Sequence, residues 1–559
     1  MKNKIKMLFI GFIIIFFVNM LHSEKISNTK HNLSVSGPGT VKATSETEIC
    51  IFCHTPHAAA KTPLWNRNDP GLSFTLYTSS TTNASIGQPD GSSIMCLSCH
   101  DGTIALGSVV SRTSTISFGS VTTMPTGNTN LTKNMTNDHP VSFVYSSALA
   151  TADGQLLQPG SITPPVSLYN TKVQCTSCHN PHENTSIKFL VTSSQNSALC
   201  VSCHNRTYWA NSTHKTSTKT WNGTAPNPWF HTPWTTVAAN ACENCHTPHN
   251  AGGAVRNMNY SAEETNCLNC HNGNVASTNI QSQLTKTYRH KVANYTGVHD
   301  PTEANIVTTQ HVECVDCHNG HASNATTASA PNVRGSLLGV KGVDTDGNNV
   351  NPSLYQYQIC YKCHSSSSWR PGSPTTRQIA QNNVRLEFDP ANPAFHPIES
   401  AGPNANVPSL ISPWTTTSKM YCSDCHASDG TGVPKGPHGS TYAQILVKQY
   451  MRGDNVSESA ANYALCYTCH SRTSILGDNS FKEHNKHIAG ENFPCNNCHD
   501  PHGISSTQGN STNNSNLINF NTAYITPSSG GILRFDDQGL YKGRCYLTCH
   551  GKNHNPLSY

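Results

Sequence analysis

The chain has 559 residues, of which 12% are charged and 35% hydrophobic, with a mean hydropathy of −0.45. That is too little apolar material for the several aliphatic cores into which a chain of this length normally divides, so either much of it is unstructured or something other than side chains supplies the core. The formal net charge of +5 falls to about +2 once three N-terminal lysines are set aside, which argues against nucleic acid as a partner.

Lys2, Lys4 and Lys6 precede an apolar run from Met7 to Leu21, and Leu21-His22-Ser23 offers a cleavage site. This is the layout of a secretory signal peptide over residues 1–23. A retained anchor is the alternative, but the run is short for a bilayer span and Asn19 interrupts its end. The mature part, with no further apolar run long enough to span, is expected to be exported to the periplasm, the outer surface or the extracellular space.

The 24 cysteines follow in twelve motifs, grouped in six pairs. Pair one (24–135) carries Cys50, Cys53 and His54, then Cys96, Cys99 and His100. Pair two (136–225) carries Cys175, Cys178 and His179, then Cys200, Cys203 and His204. Pair three (226–285) has Cys242, Cys245 and His246 with Cys267, Cys270 and His271. Pair four (286–380) has Cys314, Cys317 and His318 with Cys360, Cys363 and His364. Pair five (381–478) has Cys422, Cys425 and His426 with Cys466, Cys469 and His470. Pair six (479–559) has Cys495, Cys498 and His499, and closes with the variant CYLTCH, in which one more residue separates Cys545 from Cys549 and His550. Pairs two and three are compact; the others are stretched by polar insertions such as Thr113–Thr136 and Ser365–Arg377, read as loops.

CxxCH is the attachment signature of c-type haem: two thiols on one helical turn form thioethers and the adjacent histidine supplies the proximal iron ligand. Paired CxxC units can also hold zinc, and exported cysteines commonly form disulfides. Neither alternative explains a histidine after the second cysteine in all twelve motifs. Twelve covalent haems c would themselves fill the missing core. The expected fold is mostly irregular coil with short helices at the motifs and a few small β-hairpins, the haems replacing a conventional hydrophobic core.

The first motif of each pair carries a second histidine three residues after the first: His57, His182, His249, His321 and His502, with His438 as the nearest substitute in pair five. Such a histidine lies on the same side of the ring as its neighbour and must reach a different iron, most simply that of the other member of its pair. Six further ligands are expected upstream of the pairs, at His31, His139, His231, His299, His396 and His487, with His311 competing with His299 and His484 with His487. Proline closely follows several of these and would restrain the backbone that presents them. Methionine is scarce, with Met95, Met124, Met135, Met258, Met420 and Met451 the candidates beyond the leader, so bis-histidine ligation and low potentials are expected. The stretch Asp344–Asn349, DTDGNN, has the look of a calcium loop. Tyr355 stands where the bidentate glutamate would be needed, and a polar turn is the better reading.

Through its motif type and alternation, essentially the whole mature chain resembles the multihaem c-type cytochromes with doubled CXXCH motifs. These are periplasmic and outer-surface electron carriers. The resemblance implies electron transfer to redox protein partners or an extracellular acceptor, without catalysis, and self-assembly into filaments is known among such cytochromes. His31 and His554, near the two ends, are where a ligand between subunits would be sought. A multihaem reductase for nitrite, hydroxylamine or a sulfur oxyanion, with one open haem, is the rival; a passive haem store is a third reading that explains the regular pairing less well.

Overall fold

The computed structural model describes residues 25–60, 63–71, 73–295, 298–304, 306–307 and 309–559; the leader expected over 1–23 lies outside the described residues. Regular structure is sparse and tied to the cysteines. The three helices of nine or more residues among the described residues are Gly91–His100, Glu263–His271 and Gln356–His364. Each ends on the histidine of a second motif. Most first motifs are a single turn, as in Cys175–Cys178, Cys314–Cys317, Cys422–Cys425 and Cys495–Cys498. One turn is what the spacing requires, since residues three apart share a helix face.

Apolar packing occurs as small separate clusters. One contains six buried residues, Val343, Tyr357, Tyr361, Phe388, Ile398 and Met420. Between the clusters runs a continuous cavity of about 5060 Å³, lined by all 24 cysteines. A single small-molecule site takes roughly 300–1,000 Å³, so this interior is the size of many such sites joined. The irregular coil, short helices and small sheets agree with the expected fold, with the cavity in the place of a side-chain core.

Among the described residues three of the four sheets are two-stranded and only two residues long on each strand. Two of these join successive pairs: Tyr288–Arg289 with Gly439–Ser440, and Ala394–Phe395 with Gly503–Ile504. The third, Gly342–Val343 with Asn349–Val350, closes on the DTDGNN stretch. There the Asp344 carboxylate accepts from the backbone N–H groups of Asp346 and Asn348 at 3.0 and 2.7 Å, which is a polar turn. The largest sheet is C-terminal, with Arg534–Asp537, Gly543–Cys549 and Lys552–Ser558 antiparallel. It contains the CYLTCH motif. The twelfth pair of thiols is therefore on a strand: side-chain alternation puts Cys545, Leu547 and Cys549 on one face, about 13 Å from end to end.

Candidate functional site

The motifs are stitched together by buried polar side chains. At four junctions a side chain upstream of a second motif accepts the first or second backbone N–H of the next first motif, a donor that a helical turn leaves unpaired. Cys175 N–H donates to Ser93 Oγ at 3.0 Å, Cys242 N–H to Ser197 Oγ at 2.9 Å, Val315 N–H to Glu263 Oε1 at 3.2 Å and Ser423 N–H to Gln356 Oε1 at 3.3 Å. The contact brings thiols of adjacent pairs together. Cys96 has its thiol held up by Cys175 and by burial, and the same couple recurs at Cys200 with Cys242, Cys267 with Cys314, Cys360 with Cys422 and Cys466 with Cys495. Successive motifs thus form an unbroken row.

The motif histidines are oriented by hydrogen bonds at Nδ1. His54 donates to Pro63 O at 3.0 Å, His100 to Thr129 O at 2.7 Å, His179 to Lys188 O at 2.9 Å, His246 to Arg256 O at 2.9 Å, His318 to Ser336 O at 2.8 Å, His426 to Gln444 O at 2.8 Å and His499 to Asn516 O at 2.9 Å. Donation from Nδ1 leaves Nε2 with its lone pair, the form that ligates a metal. Four of the acceptors, Lys188, Arg256, Gln444 and Asn516, have φ between 55° and 59°. The left-handed backbone costs a non-glycine residue roughly 1–2 kcal/mol, and here it turns a carbonyl back onto the ring. Sequence reasoning did not find these acceptors, because the residue types that share the conformation have nothing else in common.

Across the cavity each of nine motif histidines in pairs one to five faces a second histidine. Two imidazoles bonded to opposite faces of one metal at roughly 2.0–2.1 Å each would have ring centres about 6 Å apart. The observed separations are 6.1 Å for His54 with His182, 6.1 Å for His179 with His249, 6.3 Å for His246 with His321, 6.1 Å for His318 with His438 and 6.1 Å for His426 with His502. They are 6.2 Å for His100 with His31, 6.3 Å for His204 with His139, 6.2 Å for His271 with His214 and 6.5 Å for His364 with His290. His470 is placed beside His396 electrostatically. The residues present therefore fit haem c: paired thiols, an oriented motif histidine, and a second imidazole at the required distance.

The partners differ from the sequence expectation in three respects. A histidine at +3 does not reach the other member of its own pair; it stands against the first motif histidine of the preceding pair. His214 and His290 occupy the positions expected for His231 and His299. His484, not His487, faces His499, at 6.4 Å. His231 is half-buried, and its two ring nitrogens are shielded from solvent without a well-formed hydrogen bond. His299 lies 3.0 Å from Glu313 and 3.7 Å from Asp316, and His311 lies 3.1 Å from Glu303. Burial would lower the His299 pKa, but its hydrogen bond to Glu313 and the Asp316 charge outweigh that and raise it. The Nδ1 of His487 bonds Glu483 O at 2.7 Å. Nothing local distinguished His214 and His290; they carry neither the proline nor the spacing that marked the others.

The facing histidines are also clasped to each other. His31 Nδ1 donates to Pro181 O at 3.1 Å, and His214 Nδ1 to Gly320 O at 2.9 Å. His290 bonds Pro437 O and His396 bonds Pro501 O, while His139 donates from its backbone N–H to Pro248 O at 2.8 Å. In every case the acceptor is the residue before a +3-type histidine, namely His182, His321, His438, His502 or His249. One clasp therefore presents two imidazoles to the two motif histidines of one pair.

The sixth pair departs from this. His550 turns its Nε2 to Asp454, at 2.9 Å, and no histidine ring among the described residues stands opposite it. His57 is exposed and has no ring facing it among the described residues. Of the 29 described histidines, only His57 and His550 do not line the cavity. His554 is buried and bonds the Tyr559 hydroxyl at 2.6 Å.

No curated protein matches the chain. A family model described as the doubled CXXCH motif matches residues 169–207 and 415–474, which contain motifs three, four, nine and ten. With the geometry of the thiols and histidines, that match supports a multihaem c-type cytochrome whose CxxCH motifs bind haem c covalently.

Proposed function

We propose that the chain is an exported electron conduit carrying twelve haems c, one on each motif, and that its six sequence segments are six successive haem pairs. Haem c, when bound, supplies one-electron redox chemistry over a wide range of potentials. The chain's own residues do the rest. Each pair of cysteines would anchor a haem, each Nδ1-bonded motif histidine would hold its iron, and each clasped histidine of pairs one to five would supply the second ligand. In pairs one to five two histidines would hold each iron and would leave a substrate no place to ligate, which favours transfer over catalysis.

The observation that carries this reading is the row of facing histidines at 6.1–6.5 Å, in register with an unbroken row of cysteine pairs. The donor is an envelope redox protein; the acceptor is a protein partner or an extracellular oxidant. Among the described residues no helix is long and apolar enough to cross a membrane. Intact mass and a pyridine haemochrome assay test the count: twelve haems and no free thiols are expected, whereas bound zinc or mostly free thiols would refute it. A redox titration should give overlapping couples below zero, since methionine ligation is not expected; a sharp positive component would contradict the ligand assignment.

A further inference from the structure

We propose that His299, His311, Glu313 and Asp316 bind a divalent first-row transition ion such as zinc, at a site separate from the haem motifs. Two histidines that face no motif histidine thereby gain a role that electron transfer does not give them.

The four ligand atoms lie within 4.8 Å of one another. Ligands held roughly 2.0–2.2 Å from one ion stand about 3 Å apart when adjacent and about 4 Å apart when opposite. His299 Nδ1 is 3.0 Å from Glu313 Oε2 and 3.7 Å from Asp316 Oδ1, and His311 Nε2 is 4.0 Å from Asp316 Oδ2. These are the separations of a shell around a single ion.

The protonation and charge of the cluster call for a cation. His311 Nδ1 bonds Thr309 O at 2.9 Å, so donation there leaves the lone pair on Nε2. That nitrogen stands 3.1 Å from Glu303 Oε2 as well as beside Asp316, and a lone pair set among carboxylates is repelled unless a positive centre lies between them. Glu313 is 4% exposed. The His299 contact apart, neither oxygen of its carboxylate has a well-formed hydrogen bond. Glu263 adds a further carboxylate, accepting from the His299 backbone N–H at 3.1 Å. Against Glu263, Glu303, Glu313 and Asp316 stands the Lys362 ammonium, 3.0 Å from Asp316 Oδ1. Buried charge in such excess is kept where it is paired or coordinates a metal. A proton on His299 offsets part of it in the ion-free chain; a divalent ion offsets more.

Two imidazole nitrogens with two carboxylate oxygens suit zinc and its neighbours, whereas calcium and magnesium take oxygen sets. Glu313 is the N-cap of the turn Cys314–Cys317, and Lys362 belongs to the helix Gln356–His364. An ion here would pin His299 and His311 to the seventh motif and, through the Asp316–Lys362 pair, to the eighth.

The test uses the haem-loaded protein with its His311→Ala and Glu313→Gln variants. Each is stripped with a chelator and dialysed to equilibrium against zinc, and zinc-edge X-ray absorption reads the ligands. The wild type should retain one zinc per chain on nitrogen and oxygen, with calcium and magnesium failing to displace it. Both variants should bind zinc at least tenfold more weakly, with the haem count and the low-spin spectrum unchanged. If Glu313→Gln does not accumulate, His311→Ala decides alone. No zinc on the wild type, equal binding by the variants, or a new high-spin haem in His311→Ala would overturn the proposal, the last by returning His311 to an iron. Zinc found only on sulfur would also overturn it, and a matching deficit of haem would count against the conduit reading as well.

Discussion

Pairs one to five and pair six use the same cysteine-histidine chemistry, but the first five are closed by the chain itself and the sixth is not. In the first five, both thiol pairs sit on helical turns and the upstream histidine is bonded to the next pair. In the sixth, Cys495–Cys498 is a turn while Cys545 and Cys549 lie on the strand Gly543–Cys549, and His550 is bonded to a carboxylate. A turn places its two thiols about 5–6 Å apart; a strand spreads them over about 13 Å. The difference teaches that each pair is completed by its successor. The clasp is a Pro-His or Gly-His step from a following pair, and among the described residues no such step stands against His484.

The largest expected effect separates a middle pair from the last. Replacing Cys175 and Cys178 by Ala should abolish accumulation of holoprotein, because it removes a ring from the centre of the cavity where little aliphatic core exists to compensate. Replacing Cys545 and Cys549 should leave a folded chain with eleven haems, since the terminal sheet has its own cluster of Phe493, Phe520, Ile525, Phe535 and Leu547. Yield and haem per chain measure both; equal loss in the two would erase the distinction.

The direction of closure is sharpened by His182→Ala. It should open one iron, that held by His54, so it adds no high-spin signal in a background already lacking Cys50 and Cys53. An added signal there would return His182 to its own pair. Such a double-variant comparison isolates the coupling.

Within pairs one to five, four of the first motif histidines lie at 8–34° to their partners, with His426 at 56°, whereas the second motif histidines lie at 55–80°. The angle between two axial imidazole planes sets how the iron d orbitals split, so electron paramagnetic resonance of the oxidised protein should resolve two low-spin classes. One uniform class would mean that the rings realign when haem is bound.

A smaller effect is expected from pH at the fourth pair. The His299 pKa is raised above 6.5 because Glu313 and Asp316 outweigh its burial. The stability contributed by its charge is therefore full below pH 6.5 and lost as pH rises through the raised value. Amide exchange protection around Cys314–Cys317 should fall over that window, and His299→Gln should flatten the dependence. The smallest effect belongs to Gln444, exposed and at φ 58°. Gln444→Gly relieves the left-handed backbone and should stabilise by no more than about 1 kcal/mol, measured as a shift in the unfolding midpoint.

The amino-acid sequence alone determined the cofactor chemistry and the irregular fold class. Covalent attachment is local: Cys50, Cys53 and His54 occupy a single turn, so type and spacing suffice to read it. The alternation of pairs was legible for the same reason, through His57, His182 and His249 three residues beyond a motif histidine. What faces what was decided only in the tertiary structure. The Pro181 carbonyl that holds His31 is 150 residues away, and the Gly320 carbonyl that holds His214 is 106 residues away. Such partners are selected by where the chain returns, which depends on how one pair stacks on the next. His231 and His299 looked as suitable as His214 and His290 because a histidine's fitness as a second ligand depends on the position of its ring, and local sequence carries no record of that position.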